Sequence, residues 1–293
     1  MLEQFDIDSW TGPYPPDIRA RAQSALENGA VLFFPRMPFR LSNSEGEFLD
    51  GRLTDGKAKN ISLDWTRGKL QGTSARGERA VRLAAMIERF GAGATNFVKD
   101  LLPNYAGVER ARTSFRPVEV EGRVQSVISD DRLLHVDAFP SRPMGNGKRI
   151  LRFFANVAPP KAGGGARRWH VGEPFESFAR QFAPRVRPHF PGQSWLFGKL
   201  GVTHGQRSAY DEMMLSLHDA AKLDSAYQKN APHSAVEFPP GSCWLVYTDM
   251  VLHAALAGEF ALEQTFHFDV AKMGEPDKAP IRVLERLTGK QLA

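Results

Sequence analysis

Leu133-Leu134-His135-Val136-Asp137-Ala138-Phe139-Pro140 ends an apolar run with an imidazole and a carboxylate two residues apart. In an extended chain, residues i and i+2 point to the same side. His135 and Asp137 then converge on one point, and Val136 turns into the packing behind them. Two such groups hold a metal poorly, so a third is required. His253 is the best candidate. It lies in Asp249-Met250-Val251-Leu252-His253, just after the strand-like Ser242-Cys243-Trp244-Leu245-Val246-Tyr247. Two His and one carboxylate on one face of a metal is the ligand set of non-haem Fe(II) oxygenases, which leaves adjacent positions open for a co-substrate and O₂. The tripeptide alone is not specific, because H-x-D occurs by chance in many chains.

The rest of the chain suits that reading. A length of 293 residues fits one domain, and a hydrophobic fraction of 42% supports a real core. The single cysteine, Cys243, excludes an internal disulfide framework and a cysteine-rich zinc site. The first residues, Met1 to Asp8, carry neither a basic nor an apolar signal region, and no run approaches the ~20 apolar residues of a membrane span, so a cytoplasmic location is expected. Net charge is +5 and Arg outnumbers Lys. This balance permits an anionic substrate or an anionic membrane surface. There is no long basic run or basic-aromatic ladder, so no nucleic-acid partner is expected.

Periodicity gives an α+β reading with N-terminal and inserted helices: many short strands with Gly/Pro turns suggest a barrel or a double sheet, and a jelly roll, whose two sheets leave an open mouth, suits the chemistry. Residues 1–108 read as mainly helical. Helices are expected from Asp17 to Glu27, at Ser44 to Leu53, and as one or two helices from Arg76 to about Pro103, whose apolar stripe continues after Gly91-Ala92-Gly93. Ala30 to Phe34 reads as a strand. The core spans 109–270, with strands expected at 111–117, 124–128, 132–136, 148–157, 167–171, 193–197, 234–237, 242–247 and 262–269. Helical segments interrupt it at 174–183 and within an insert over 205–229. Residues 271–293 form a C-terminal tail with a helix near Arg282 to Leu287. Ligands so far apart in sequence suggest two facing sheets. Trp195 and Trp244 read as core.

Several polar residues stand in apolar strands. Ile150, Arg152, Phe154 and Asn156 share one face of their strand. Arg152 either grips a carboxylate in a bidentate fork or is capped by an internal acid. Arg112, Ser114 and Arg116 share a face of the preceding strand. They bind a second carboxylate or line an exposed edge. Arg142 borders the mouth of the site, and His204 and His170 are candidates to line it. Lys59, in the turn Asp55 to Asn60, belongs to a solvated loop or to a lid over an anionic ligand. His218, inside a helical pattern, is expected to pair with the backbone or a neighbouring acid.

Taken together, Lys57 to Ser62, Leu134 to Pro140, Arg152 to Val157, Tyr210 to Met213 with Leu217 to Asp219, and Trp244 through His253 to Phe268 resemble the Kdo hydroxylase family of Fe(II)- and 2-oxoglutarate-dependent dioxygenases. The resemblance implies a double-stranded β-helix and hydroxylation at C3 of the 3-deoxy-D-manno-oct-2-ulosonic acid (Kdo) sugar of lipopolysaccharide (Kdo-lipid A), giving Ko. It implies Fe(II), 2-oxoglutarate and O₂, with the metal ligands at His135, Asp137 and His253. Many relatives in the wider superfamily place a basic residue about ten positions after the second His. Glu259 to His267 contains no Arg or Lys. The 2-oxoglutarate carboxylate is therefore assigned to Arg152, with Arg116 as second choice and Asn156 and Gln264 as hydrogen-bonding neighbours. Arg142, Lys59, Arg112 and His204 are expected to meet the substrate. An anionic lipid substrate places the protein peripherally on the cytoplasmic face of the inner membrane. The alternatives are the same chemistry on another small acidic substrate, or a non-enzymatic jelly-roll carbohydrate-binding protein.

Overall fold

The computed structural model describes residues 1–139, 144, 147–160, 165–186 and 207–292. Arg142, His204, Trp195 and the strand expected at 193–197 lie outside the described residues. Eleven strands are described: β1 (Leu2–Gln4), β2 (Val31–Phe34), β3 (Ile61–Asp64), β4 (Lys69–Gln71), β5 (Glu109–Arg116), β6 (Arg149–Asn156), β7 (Arg167–Gly172), β8 (His233–Phe238), β9 (Cys243–Tyr247), β10 (His253–Ala257) and β11 (Ala261–Phe268). They form an eight-stranded sheet in the order β1-β2-β9-β6-β11-β5-β3-β4 and a three-stranded sheet in the order β10-β7-β8. Pairing is antiparallel except between β1 and β2.

The period-2 pattern of β6 fixes what each face of the large sheet meets. Phe153 points to one side, where Trp10, Phe90 and Phe97 surround it at ring-centroid distances of 5.1–6.1 Å. Phe90 and Phe97 belong to α2 (Gly77–Leu101), which covers that side with Leu83, Met86, Ile87, Phe90, Ala94, Phe97, Val98 and Leu101 at helical spacing. Phe154 points the other way, between the sheets. It stacks on Trp244 of β9 at 5.0 Å and meets Trp169 of β7 edge-on at 5.2 Å. These rings form a second apolar cluster that joins the two sheets.

The remaining helices are α1 (Pro16–Glu27), α3 (Phe175–Phe182), α4 (Ala209–Leu223), α5 (Ser225–Asn230) and α6 (Pro280–Thr288). Ser208 and Asp211 form a capping box that starts α4. The second oxygen of Asp211 accepts the backbone N–H of Met144 at 2.8 Å.

Besides α1 and α2, the first 108 residues supply β1–β4, half of the large sheet. Two expectations need correction. Ser44 to Leu53 forms two 3₁₀ turns, Glu45–Phe48 and Gly51–Leu53. No strand forms at 124–128, because Val124 is fully exposed and Val127 half exposed, with no strand partner beside them among the described residues. Of the one or two helices expected over Arg76 to about Pro103, a single one forms, α2, which runs through Gly91-Ala92-Gly93. Gly91 permits a close approach there, since a Cβ would come within 2.6 Å of Thr113 Oγ1 and 2.7 Å of Gln264 Oε1.

A buried ion pair braces the turn between β9 and β10. Arg149 and Asp249 are nearly inaccessible and joined at 2.7 and 3.1 Å, with the guanidinium 3.7 Å over the Tyr247 ring. Removing one partner leaves an uncompensated buried charge, which costs ~3–5 kcal/mol. Arg149→Ala is expected to lower the unfolding free energy by that amount in urea titration, while exposed Arg36→Ala, paired only with exposed Asp6, stays within ~0.5 kcal/mol of the parent.

Candidate metal centre

His135 and Asp137 lie in an extended segment beside the small sheet. No strand forms over 132–136. The backbone partners of this segment are divided instead among three sources. His135 exchanges both backbone hydrogen bonds with His253, at 3.1 and 2.9 Å. Asp137 N–H donates to the Thr248 carbonyl at 2.7 Å. The side-chain amide of Gln228, on α5, serves both backbone groups of Leu134 at 2.8 and 2.9 Å. The alternation survives: Leu134 and Val136 are buried, and His135 and Asp137 face the same space. The ligands do not come from facing sheets. His135 extends the small sheet as the neighbour of His253.

Each ring is oriented by its own backbone. His135 Nδ1 lies 2.7 Å from the Leu133 carbonyl, and His253 Nδ1 lies 2.8 Å from the Val251 carbonyl. A carbonyl only accepts, so Nδ1 carries the proton and Nε2 keeps its lone pair. His253 also stacks on Trp169 at 5.2 Å. Burial holds both imidazoles below their ordinary pKa, with His253 a second cause at His135. They are therefore neutral donors. Burial alone would raise the Asp137 carboxyl, but the Arg152 guanidinium beside it is the leading opposing cause and the carboxyl is held well below the usual carboxylate range. Its Oδ1 lies 3.8 Å from His135 Nε2, and one ligand atom from each residue lies within 4.8 Å of the others. Two neutral nitrogens and an ionised oxygen converging in this way suit Fe(II).

Opposite this cluster, the inner face of the large sheet carries charge. Arg152 Nη2 lies 2.8 Å from Asp137 Oδ2, and Nη1 donates to Glu263 Oε1 at 2.7 Å. Arg116 Nε donates to Glu263 Oε2 at 2.7 Å. A cleft of about 480 Å³ opens here, lined by Arg112, Ser114, Arg116, Phe139, Arg152 and Thr265 among others. Of the alternatives raised by the sequence for Arg152, the cap by internal acids is present, and the residue also lines this cleft. Its Nε is buried with no partner among the described residues.

Other site expectations are not met. Gln264 lies on the opposite face of β11, beneath α2. There its amide oxygen accepts from Thr113 Oγ1 at 2.6 Å and Arg110 Nε at 3.1 Å. Asn156 stands four residues along β6 from Arg152, roughly 13 Å by strand rise. Its amide donates to the Gly165 and Phe238 carbonyls and accepts from Ala158 N–H, so its hydrogen-bonding groups serve the backbone. The Lys59 ammonium is turned to the Ser129 carbonyl and, at 3.3 Å, to Asp131. It braces the segment that leads to His135. His170 stacks on His233 at 4.0 Å. His218 binds Asp219 at 2.8 Å, as expected, and its ring stands edge-on to His135 at 5.4 Å.

Sequence reasoning missed Glu263 and Lys222. Glu263 is a lone acid in an apolar strand, a costly placement that signals a buried partner. Lys222, on α4, is buried with its ammonium 3.0 Å from the Ile128 carbonyl.

A two-sheet β core bearing a His-x-Asp pair and a distal His, with a charged cleft beside them, defines a non-haem iron dioxygenase of the double-stranded β-helix class. The chain matches the model for 3-deoxy-D-manno-oct-2-ulosonic acid (Kdo) hydroxylase over residues 9–291, and it belongs to the Kdo hydroxylase family. Solved structures agree. One, of the Kdo hydroxylase KdoO, a non-heme Fe(II) alphaketoglutarate dependent dioxygenase, in complex with alphaketoglutarate and Fe(III), is 43% identical with a TM-score of 0.94, covering 100% of this chain and 97% of that one. The cobalt(II) complex of KdoO is 44% identical with a TM-score of 0.95, over 99% and 97% of the two chains. The succinate and Fe(III) complex gives 43% and 0.94 over the same shares. No curated protein matches the chain in sequence comparison.

Replacing His135, Asp137 or His253 with Ala is expected to abolish Fe(II) binding, read by metal analysis of the purified protein, with circular dichroism unchanged. His218→Ala should retain its iron, because the ring meets His135 edge-on and offers no converging ligand atom. Normal iron in Asp137→Ala would rule out the cluster as the metal site.

Proposed function

We propose that this protein is an Fe(II)/2-oxoglutarate/O₂-dependent hydroxylase that converts the Kdo sugar of Kdo-lipid A to its 3-hydroxylated form, Ko. The observation that carries the reading is the juxtaposition of the His135–Asp137–His253 cluster with an arginine-lined cleft, within the fold of a Kdo hydroxylase. His135, His253 and Asp137 are the metal ligands. The oxidising chemistry is that of iron with 2-oxoglutarate and O₂: the co-substrate leaves as succinate and CO₂, and one oxygen atom enters a C–H bond of the sugar.

The chain's own share is placement and charge. The unpartnered Arg152 Nε supports Arg152 as the group that receives the distal carboxylate of 2-oxoglutarate, because a buried anion needs a cation and a buried donor needs an acceptor. Arg116 is the second choice. Arg112, on the cleft wall, and Arg142 and His204 are assigned to the acidic sugar. Lys59 is withdrawn from the substrate set, since its ammonium is already engaged.

The lipid that bears this sugar is anionic, and the chain carries a net charge of +5. Among the described residues no helix is long and apolar enough to cross a membrane. We therefore assign the protein to the cytoplasmic face of the inner membrane as a peripheral, charge-held enzyme.

Mass spectrometry of lipopolysaccharide from cells with and without the protein is expected to show one added oxygen on Kdo, and the purified enzyme should release succinate only with iron present. A carbohydrate-binding protein would release none. In the same assay Arg152→Lys, which keeps the charge but loses the fork, should raise the KM for 2-oxoglutarate, and Arg152→Ala should raise it further. An unchanged KM in Arg152→Ala alongside a raised one in Arg116→Ala would move the anchor to β5.

Association with anionic vesicles should be strong at low salt and largely lost at 1 M salt, where the screening length falls to about 3 Å. Salt-resistant sedimentation would point to an apolar contact instead.

A further inference from the structure

Glu263 belongs to no metal ligand set, yet it is 3% exposed and stands in the cleft wall. The register of the large sheet explains its neighbours. On β11, Ala261 lies opposite Arg116 of β5, and Thr265 lies opposite Arg152 of β6. Glu263, between those two positions on the same face, is diagonal to both arginines. Its Oε2 accepts from Arg116 Nε at 2.7 Å. Its Oε1 accepts from Arg152 Nη1 at 2.7 Å and from Thr265 Oγ1 at 3.1 Å. The other terminal nitrogen of Arg152 reaches Asp137 Oδ2 at 2.8 Å. Charges therefore alternate from Arg116 through Glu263 and Arg152 to Asp137, across three adjacent strands and onto the ligand segment.

We infer that Glu263 is a positioning residue for the metal centre: it locks the Arg152 guanidinium so that Nη2 occupies one oxygen of Asp137 and the other is presented beside the imidazoles. This rests on the reading of Asp137 as a metal ligand. The physical reason is the freedom of the parts. Arg152 is long and rotamer-rich, so its contact with Asp137 alone would leave it mobile, whereas a second anchor at Glu263 fixes the plane of the fork. A carboxylate with both oxygens free can rotate or bind a metal through both, whereas Asp137, with Oδ2 ion-paired to Arg152 Nη2 outside hydrogen-bond geometry, offers Oδ1. Partners of this kind typically change metal affinity by 10–100-fold. Glu263 also separates Arg116 from Arg152, whose like charges would otherwise repel across the cleft.

The test is calorimetric titration of Co(II) into the full-length, chelator-stripped protein. Glu263→Gln keeps the shape but removes the charge. It is expected to weaken Co(II) binding by about 10–100-fold, and Arg152→Gln by a similar factor. The double variant should be no weaker than the weaker single, because both act through one contact to Asp137. Arg116→Gln leaves Glu263 on Arg152 and should stay within about threefold of the parent. A loss of thermal stability without a loss of affinity in Glu263→Gln would mean a merely structural counter-ion, and additive losses in the double variant would mean a general field effect. Either result overturns the proposal. Should the Gln variant fail to fold, Glu263→Asp, which keeps the charge and withdraws it by one methylene, decides: affinity within threefold of the parent overturns it. Asp137→Ala in the same titration separates the two levels. Retained affinity there refutes Asp137 as a ligand, whereas lost affinity there with normal affinity in Glu263→Gln refutes only the role of Glu263.

Discussion

The two backbone hydrogen bonds exchanged between His135 and His253 are the constraint on which the rest of the site depends. They bring together two segments more than a hundred residues apart and set the imidazoles side by side. The energetic weight of the pair itself is modest, since each such bond contributes about 1 kcal/mol net. Its consequence is geometric. Once the two backbones are paired, each ring can turn its Nδ1–H only to its own upstream carbonyl, at Leu133 and Val251, and both Nε2 lone pairs meet in one place. The surroundings hold this pairing from several sides. Thr248 receives Asp137 N–H, Gln228 completes Leu134, Lys59 and Lys222 fix the carbonyls of Ser129 and Ile128, and the Arg149–Asp249 pair braces the turn that delivers His253.

Charge at the site is balanced in pairs and leaves cationic donors at the cleft. Asp137, partly buried, and Glu263, fully buried, are acids kept ionised by Arg152 and Arg116 against the pull of burial. A metal cation added at the His–Asp–His cluster meets one ionised ligand and two neutral ones, so a dianionic co-substrate is electrostatically welcome beside it. The large sheet supplies an inner surface on which these charges are spaced by strand register; α2 packs on Phe153 on its far side, whereas α4 and α5 stand beside the ligand segment through His218, Lys222 and Gln228.

Much of the core was legible locally. Alternation located β5, β6, β7, β8, β9 and β11 to within a residue or two, because a strand buried on both faces still carries β-branched and aromatic residues between turn signals. The helix at Gly77–Leu101 was visible in its stripe, but whether it formed one helix or two was left open, since Gly91 and Gly93 lower helix propensity when only neighbours along the chain are considered. The segment at 124–128 looked like a strand by pattern alone. A strand also needs a partner, and none is provided there.

The sequence by itself determined the ligand types, the i, i+2 convergence of His135 and Asp137, and membership of a family, because these depend on residue identity and on the two-residue period of an extended chain. It also showed that Arg152 and Asn156 share one face of their strand. Tertiary structure decided which of these polar residues serve the site. Period 2 says which residues lie together; it does not say which side of the sheet is covered by a helix and which opens into the cleft, nor how far along the strand the cleft reaches. Gln264 and Glu263 are adjacent in sequence, and the register of β11 between β5 and β6 sends the first beneath α2 and the second between two arginines. Asn156 keeps the face expected of it but stands beyond the cleft, where the backbone at Gly165 and Phe238 consumes its hydrogen bonds.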